Sequence, residues 1–179
     1  MELSVGQKVS YPNQGICLVE DIEKKQISGN PLSFYALRVL SDNSTIFVPT
    51  ANAESVGIRP ILDRKQCKKL MNRLSDDFTE VSNDWKIRSR EYTEKLQTGD
   101  LFDAAEVLKK LTFLSHEKKL SFREQSLLDK ARFLIVSEVF NSGLVKSERK
   151  LESEIENLIE NACEKHCKIQ PSVMAAAAH

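Results

Sequence analysis

The stretch Arg59-Pro60-Ile61-Leu62-Asp63-Arg64-Lys65-Gln66-Cys67-Lys68-Lys69-Leu70-Met71 decides the fold, because the hydrophobic period changes within it. Over 63–74, Cys67, Leu70, Met71 and Leu74 recur at helical spacing and make one face of a helix apolar. The opposite face carries Arg64, Lys65, Lys68, Lys69 and Arg73 with no acidic residue among them. Upstream of Arg59 the spacing is different. Short apolar segments alternate with polar residues and are punctuated by Gly, Pro and Asn, the pattern of strands joined by tight turns. The change of period predicts an α+β chain of two modules. Residues 1–60 form an all-β module, 61–168 a compact five-helix domain, and 169–179, with their Ala run, a flexible tail.

Outward from the break, the β module reads as five short strands. The first covers 8–11 and is stopped by Pro12, with Asn13-Gln14-Gly15 as the turn. A second, over 16–23, places Ile16, Leu18 and Ile22 at even spacing, as if they shared the buried face. Ser28-Gly29-Asn30 is hairpin chemistry leading into a third strand over 33–40 with Tyr35, Leu37 and Val39 alternating. The fourth covers 45–48, closed by Pro49, and 54–58 are read as the fifth. Five strands in so short a length predict a strongly bent sheet or half-open small barrel of the Tudor or SH3 kind, with an edge free for a partner strand.

On the other side of the break, 75–83 is polar and is read as a loop. A second helix over 84–98 ends at Gly99. Asp100 caps a third helix with Ala104, Val107, Leu108, Leu111 and Leu114 inward. Ser121-Phe122-Arg123-Glu124 is a capping box opening a fourth, and Gly143 separates it from a fifth over 147–166.

Composition narrows the function. The 179 residues hold 26 basic and 26 acidic side chains, so the chain does not coat nucleic acid by charge alone. The longest strongly apolar run, 133–136, falls far short of the roughly 20 residues a membrane span needs. With no signal-like N-terminus and four scattered cysteines, the protein is expected in the cytoplasm with free thiols. Six unclustered glycines make no phosphate-cradling loop, and the few histidines fall in segments read as surface or tail. Cys163, His166 and Cys167 have the one ligand-like spacing, but a zinc site needs four ligands. No catalytic residue, metal or cofactor is expected.

The most informative segment is Asp84-Trp85-Lys86-Ile87-Arg88-Ser89-Arg90-Glu91-Tyr92, which contains the sole tryptophan. Two readings stay open. Trp85, Ser89, Tyr92 and Leu96 share a helical face, which makes Trp85 part of the core. Alternatively, Trp85 stands on a helix tip among Lys86, Arg88 and Arg90, with phosphates taken by the cations and a base step by the ring.

Over nearly its whole length the chain resembles the CarD/CdnL family of bacterial transcription regulators. The β module matches at Val5-Gly6, Val9, Tyr11-Pro12, Gly15, Leu18-Val19-Glu20, Val48-Pro49, Asn52-Ala53-Glu54, Val56-Gly57 and Arg59. The helical part matches at Asn83, Trp85, Arg88, Glu94-Lys95-Leu96, Gly99-Asp100, Leu120-Ser121, Glu124, Leu128, Lys130-Ala131-Arg132 and Glu138. No motor segment or charged tail follows, so the short CdnL type fits better. The resemblance implies a Tudor-like domain that docks on the RNA polymerase β subunit, and a helical domain that reaches the upstream edge of the melted promoter. There Trp85 is the minor-groove wedge, with Lys86, Arg88 and Arg90 on DNA. Lys25, Ile27, Phe47 and Pro49 fall on the implied polymerase-binding face, and Phe47 stands where better-known members carry an arginine. The implied partners are polymerase and promoter DNA, with no membrane and no obligate oligomer. A protein-binding adaptor without DNA contact is the alternative.

Overall fold

The computed structural model describes residues 1–169; the expected tail lies outside the described residues except for Ile169, which ends the last helix. Five strands form one antiparallel sheet: β1 (Lys8–Tyr11), β2 (Gly15–Ile27), β3 (Asn30–Val39), β4 (Thr45–Pro49) and β5 (Arg59–Pro60). Their order is β4-β3-β2-β1-β5, so β4 and the two-residue β5 are the edges. Five helices follow: α1 (Arg64–Leu74), α2 (Trp85–Gln97), α3 (Leu101–Glu117), α4 (Phe122–Asn141) and α5 (Glu148–Ile169). Among the described residues no helix is long and apolar enough to cross a membrane.

The β2–β3 hairpin is longer than the alternation suggests because its turn is tight. Ser28 and Gly29 take φ of 52° and 82°, the two-residue geometry that matches the twist of paired strands and lets pairing continue to Ile27↔Asn30. Two expectations fail in this module. Leu18 and Ile22 are not the buried set of β2: Cys17 and Val19 face the core instead. A bulge between Val19 and Asp21 shifts the period, and Ile22, beyond it, lies at the margin and is exposed. The fifth strand is not 54–58. That segment is turn, with Gly57 at φ 82°, and pairing with β1 begins only at Arg59, opposite Ser10. Tyr35, Leu37 and Val39 do face the core, with Leu3, Val9 and Ile58.

The first four helices start at capping residues, of which those of the third and fourth are the ones expected from sequence. Asp63 and Ser121 each accept from the backbone N–H three residues on, while Gln66 and Glu124 reach back to the cap, closing two capping boxes. Asp84 and Asp100 cap α2 and α3. The helices enclose their own core, separate from that of the sheet, with Leu70, Leu74, Leu108, Leu111, Ile135 and Ile155 fully buried.

The segment 75–83 is a loop, as its polar sequence suggests, but a packed one. Phe78 is buried in the helical core, and α3 and α5 hold the backbone around it. Lys109 Nζ donates to Arg73 O at 2.8 Å and Asp76 O at 3.0 Å, and Lys165 Nζ to Ser75 O at 2.6 Å. His166, expected near the surface, is buried against Phe78 with ring centroids 4.1 Å apart, its Nδ1 2.7 Å from Asp77 Oδ1. The Cys163, His166 and Cys167 spacing therefore makes no joint centre. Cys163 lies in the core, where burial pushes its thiol up to about 12, whereas Cys167 is exposed.

A polar joint locks the two modules. Arg59 sends a forked pair of hydrogen bonds to Glu138 at 2.6 and 3.1 Å and a third to Gly99 O at 2.8 Å. Glu138 also accepts from Leu62 N at 2.8 Å. Pro12 is wedged between Gly57 and Gly99, where an added Cβ would meet its ring at 2.8 and 3.1 Å. Both glycines take positive φ, 82° and 77°, and at Gly57 the contact is too short for a side chain.

Candidate functional site

The first turn of α2 grows from a clamp. Asp84 accepts from Lys86 N at 2.8 Å and starts the helix. One turn in, Arg88 folds back: its NH1 donates to Ser82 O at 2.7 Å and Asn83 O at 2.9 Å, fixing the backbone that leads into Trp85. Its NH2 donates to Glu124 Oε1 at 2.7 Å, which ties the first turn of α2 to the first turn of α4. Burial pushes the Glu124 carboxyl up, but hydrogen bonds from Arg88 and from Ser121 outweigh it and hold the group at about 2. Both partners are buried, the carboxyl is ionised at neutral pH, and removing either would strand the other.

This clamp corrects one expected DNA contact. Arg88 is 2% exposed and committed to Glu124 and two carbonyls, so it presents nothing to a phosphate. Its work is to position. Trp85, by contrast, is 62% exposed, so the tryptophan-in-the-core reading fails. The buried stripe of α2 is Arg88, Ser89, Tyr92 and Leu96. Trp85 aligns with it on a helical wheel but lies in the first turn, where among the described residues no element packs over the ring.

Around the ring the cations are available. Lys86 Nζ sits 5.8 Å from the Trp85 ring centroid. Among the described residues no carboxylate lies within ion-pair distance of Lys86 or Arg123. Arg90 reaches Glu94 only at 3.9 Å, with both side chains mostly in solvent. Trp85, Lys86, Ser89, Arg90, Thr93 and Arg123 line an open groove of about 380 Å³. Arg123 escapes sequence reasoning: it lies 38 positions from Trp85 in the chain, and only the Arg88–Glu124 clamp, joining two capped helix starts, brings it alongside.

A second surface lies on the outer face of the sheet. Register places Phe47 opposite Ala36, and Pro49 opposite Phe34, which itself pairs with Glu23. Lys25 and Ile27 continue the same face along β2. Phe47 and Ile27 are exposed, Pro49 is half-buried, and β4 leaves one edge unpaired. Lys25 Nζ stands 4.2 Å from the Phe47 ring centroid and 2.9 Å from Glu23 Oε2. Register puts the four residues on one face of the sheet, with Lys25 and Phe47 in contact. Phe47 is not a bare apolar replacement for an arginine, because Lys25 holds an ammonium group over its ring.

Comparison with known proteins agrees with both halves. Residues 69–160 match the family model "CarD, C-terminal domain", and residues 3–62 match "CarD-like/TRCF RID domain". The chain is 30% identical over 135 residues to the "Putative transcription factor YdeB" of Bacillus subtilis (strain 168), covering 75% of this chain and 88% of that one. A solution structure of the 72-residue N-terminal domain of Myxococcus xanthus CarD is 37% identical. It covers 33% of this chain and 79% of that domain, with a TM-score of 0.29.

Proposed function

Because this chain belongs to the CarD family of non-enzymatic, RNA-polymerase-binding transcription regulators, we propose that it stabilises the open promoter complex. In this reading the β module, 1–60, docks on the polymerase β subunit through Lys25, Ile27, Phe47, Pro49 and the free edge of β4. The helical module, 61–168, then carries Trp85 to the upstream fork of the transcription bubble. Trp85 wedges into the minor groove there, and Lys86 and Arg90 take phosphates.

The observation that carries the proposal is the pairing of a 62% exposed tryptophan with a buried arginine clamp three residues on. A large ring held in solvent by a rigid, ionised support is arranged for contact rather than for folding. The chain has zero formal net charge, so free DNA is bound weakly. Tethering to polymerase raises the local concentration of the tip to about millimolar. Only a contact stronger in the melted state moves the closed-to-open equilibrium. A wedged or stacked ring supplies about 1–3 kcal/mol, and about 1.4 kcal/mol is tenfold in lifetime. The locked Arg59–Glu138 joint supports the same reading, since a loose joint would dilute the tether. The protein then acts as a monomer, in the cytoplasm and on promoters.

The test is open-complex lifetime on a ribosomal-RNA-type promoter with cognate polymerase. Wild type is expected to prolong it, and Trp85→Ala to lose most of that effect while folding and binding polymerase normally. If both proteins bind polymerase and neither changes the lifetime, the chain is an adaptor without DNA contact.

A further inference from the structure

Phe122 is 91% exposed, the most exposed large apolar side chain among the described residues. Its capping box accounts for Ser121 and Glu124 but makes no use of a ring at this position. Burial of so much apolar surface is favourable wherever a partner can provide it. The surroundings say which partner. Phe122 is the first residue of α4, as Trp85 is the first residue of α2, and the Arg88–Glu124 bond at 2.7 Å clamps those two first turns together. Its chain neighbour Arg123 lines the Trp85 groove and reaches Thr93 Oγ1 at 3.5 Å. The groove beside Trp85 thus carries Lys86, Arg90 and Arg123, with Glu94 as its acidic residue, and Phe122 immediately precedes Arg123 in the chain.

We infer that Phe122 is a second nucleic-acid contact, a stacking platform for a nucleotide next to the one engaged by Trp85, with Arg123 holding the intervening phosphate. The occupant is a DNA strand rather than a protein segment. A cation-lined groove with an aromatic on each bounding helix complements a polyanion bearing flat bases, and each base offers a π-face whatever its sequence. Phe has no polar atom, so the contact reads no base edge and suits unpaired bases. This inference rests on the Trp85 reading above and extends it from one ring to two.

Full-length protein carrying Phe122→Ala, Phe122→Tyr, Arg123→Gln or Trp85→Ala would be compared with wild type in the open-complex lifetime assay, alongside polymerase affinity measured without DNA. Removing so exposed a side chain should leave the melting temperature unchanged. Phe122→Ala is expected to cut the lifetime gain about fivefold or more, with polymerase affinity unchanged, and Phe122→Tyr to restore it. Arg123→Gln is expected to cut it less and to flatten its salt dependence. If Trp85→Ala removes the effect and Phe122→Ala does not, the second contact is wrong and the wedge stands. If neither matters, both readings fall. If Phe122→Ala weakens polymerase binding without DNA, Phe122 belongs to a protein interface and the inference is overturned.

Discussion

The outer sheet face and the tip of α2 each expose an aromatic ring beside a lysine, and composition alone does not tell them apart. Their cations do. On the sheet, Lys25 is held between the Phe47 ring at 4.2 Å and Glu23 at 2.9 Å, so the positive charge is locally answered and the face is chiefly apolar. At the helix tip, Lys86 Nζ lies over the Trp85 ring 5.8 Å from its centroid, Arg90 reaches its carboxylate only at 3.9 Å, and Arg123 meets a hydroxyl. A neutralised apolar patch suits a protein surface, and a ring among weakly paired cations suits a polyanion. An exposed aromatic announces a partner; the pairing state of its neighbours indicates the kind.

The change that breaks this contrast most severely is Arg88→Ala. It strands the buried Glu124 carboxylate and frees the backbone before Trp85, so urea unfolding should show a loss of about 3–5 kcal/mol. Trp85→Ala, three residues away, should stay within about 0.5 kcal/mol of wild type. The same clamp has a pH signature. Glu124 is held at about 2 against an ordinary 4.5, so its contribution is complete above about 4.5 and is lost as pH falls toward 2. Acid titration of stability should show that slope in wild type and lose most of it in Arg88→Ala.

Next in size is Glu138→Gln, which attacks the joint rather than either surface. Arg59 would lose its charged partner while part of its side chain remains in solvent, so a cost of about 2 kcal/mol is expected by thermal or urea unfolding. Hydrogen exchange should rise at β5 and the start of α1. Open-complex lifetime should shorten although both surfaces are chemically intact.

Phe47→Asp breaks the sheet face alone. It removes the ring beneath Lys25, and polymerase affinity should fall about tenfold, or about 1.4 kcal/mol, with an unchanged melting temperature. The smallest effect is also the sharpest discriminator. Polymerase binding measured without DNA should change little with added salt, whereas the gain in open-complex lifetime should decline with it.

Much of this molecule is legible before any tertiary contact is considered. The period change after Arg59 separates strands from helices, the capping residues at Asp100 and Ser121 mark helix starts, and Ser28-Gly29 marks the long hairpin. These signals are local, each a few residues acting on nearby backbone. Misreadings occur where a local pattern is interrupted. The bulge after Val19 switches the inward parity of β2 from Cys17 and Val19 to Ile22, so no single even-spaced set describes the strand, and Phe78 and Val81, two apolar residues in a polar run, carry too little periodic signal to betray a packed segment.

Site chemistry divides along the same line. The sequence by itself determined the two-module architecture, the helix boundaries and the stretch from Asp84 to Tyr92 where an aromatic meets cations, because these depend on spacing and on caps within one element. Tertiary structure alone decided that Arg88 is a buried clamp and Trp85 an exposed ring, that Arg123 lines the Trp85 groove with Phe122 exposed one residue before it, and that Lys25 stands over Phe47 on the sheet. Burial and charge pairing are properties of what packs over a residue, and that neighbour can come from anywhere in the chain.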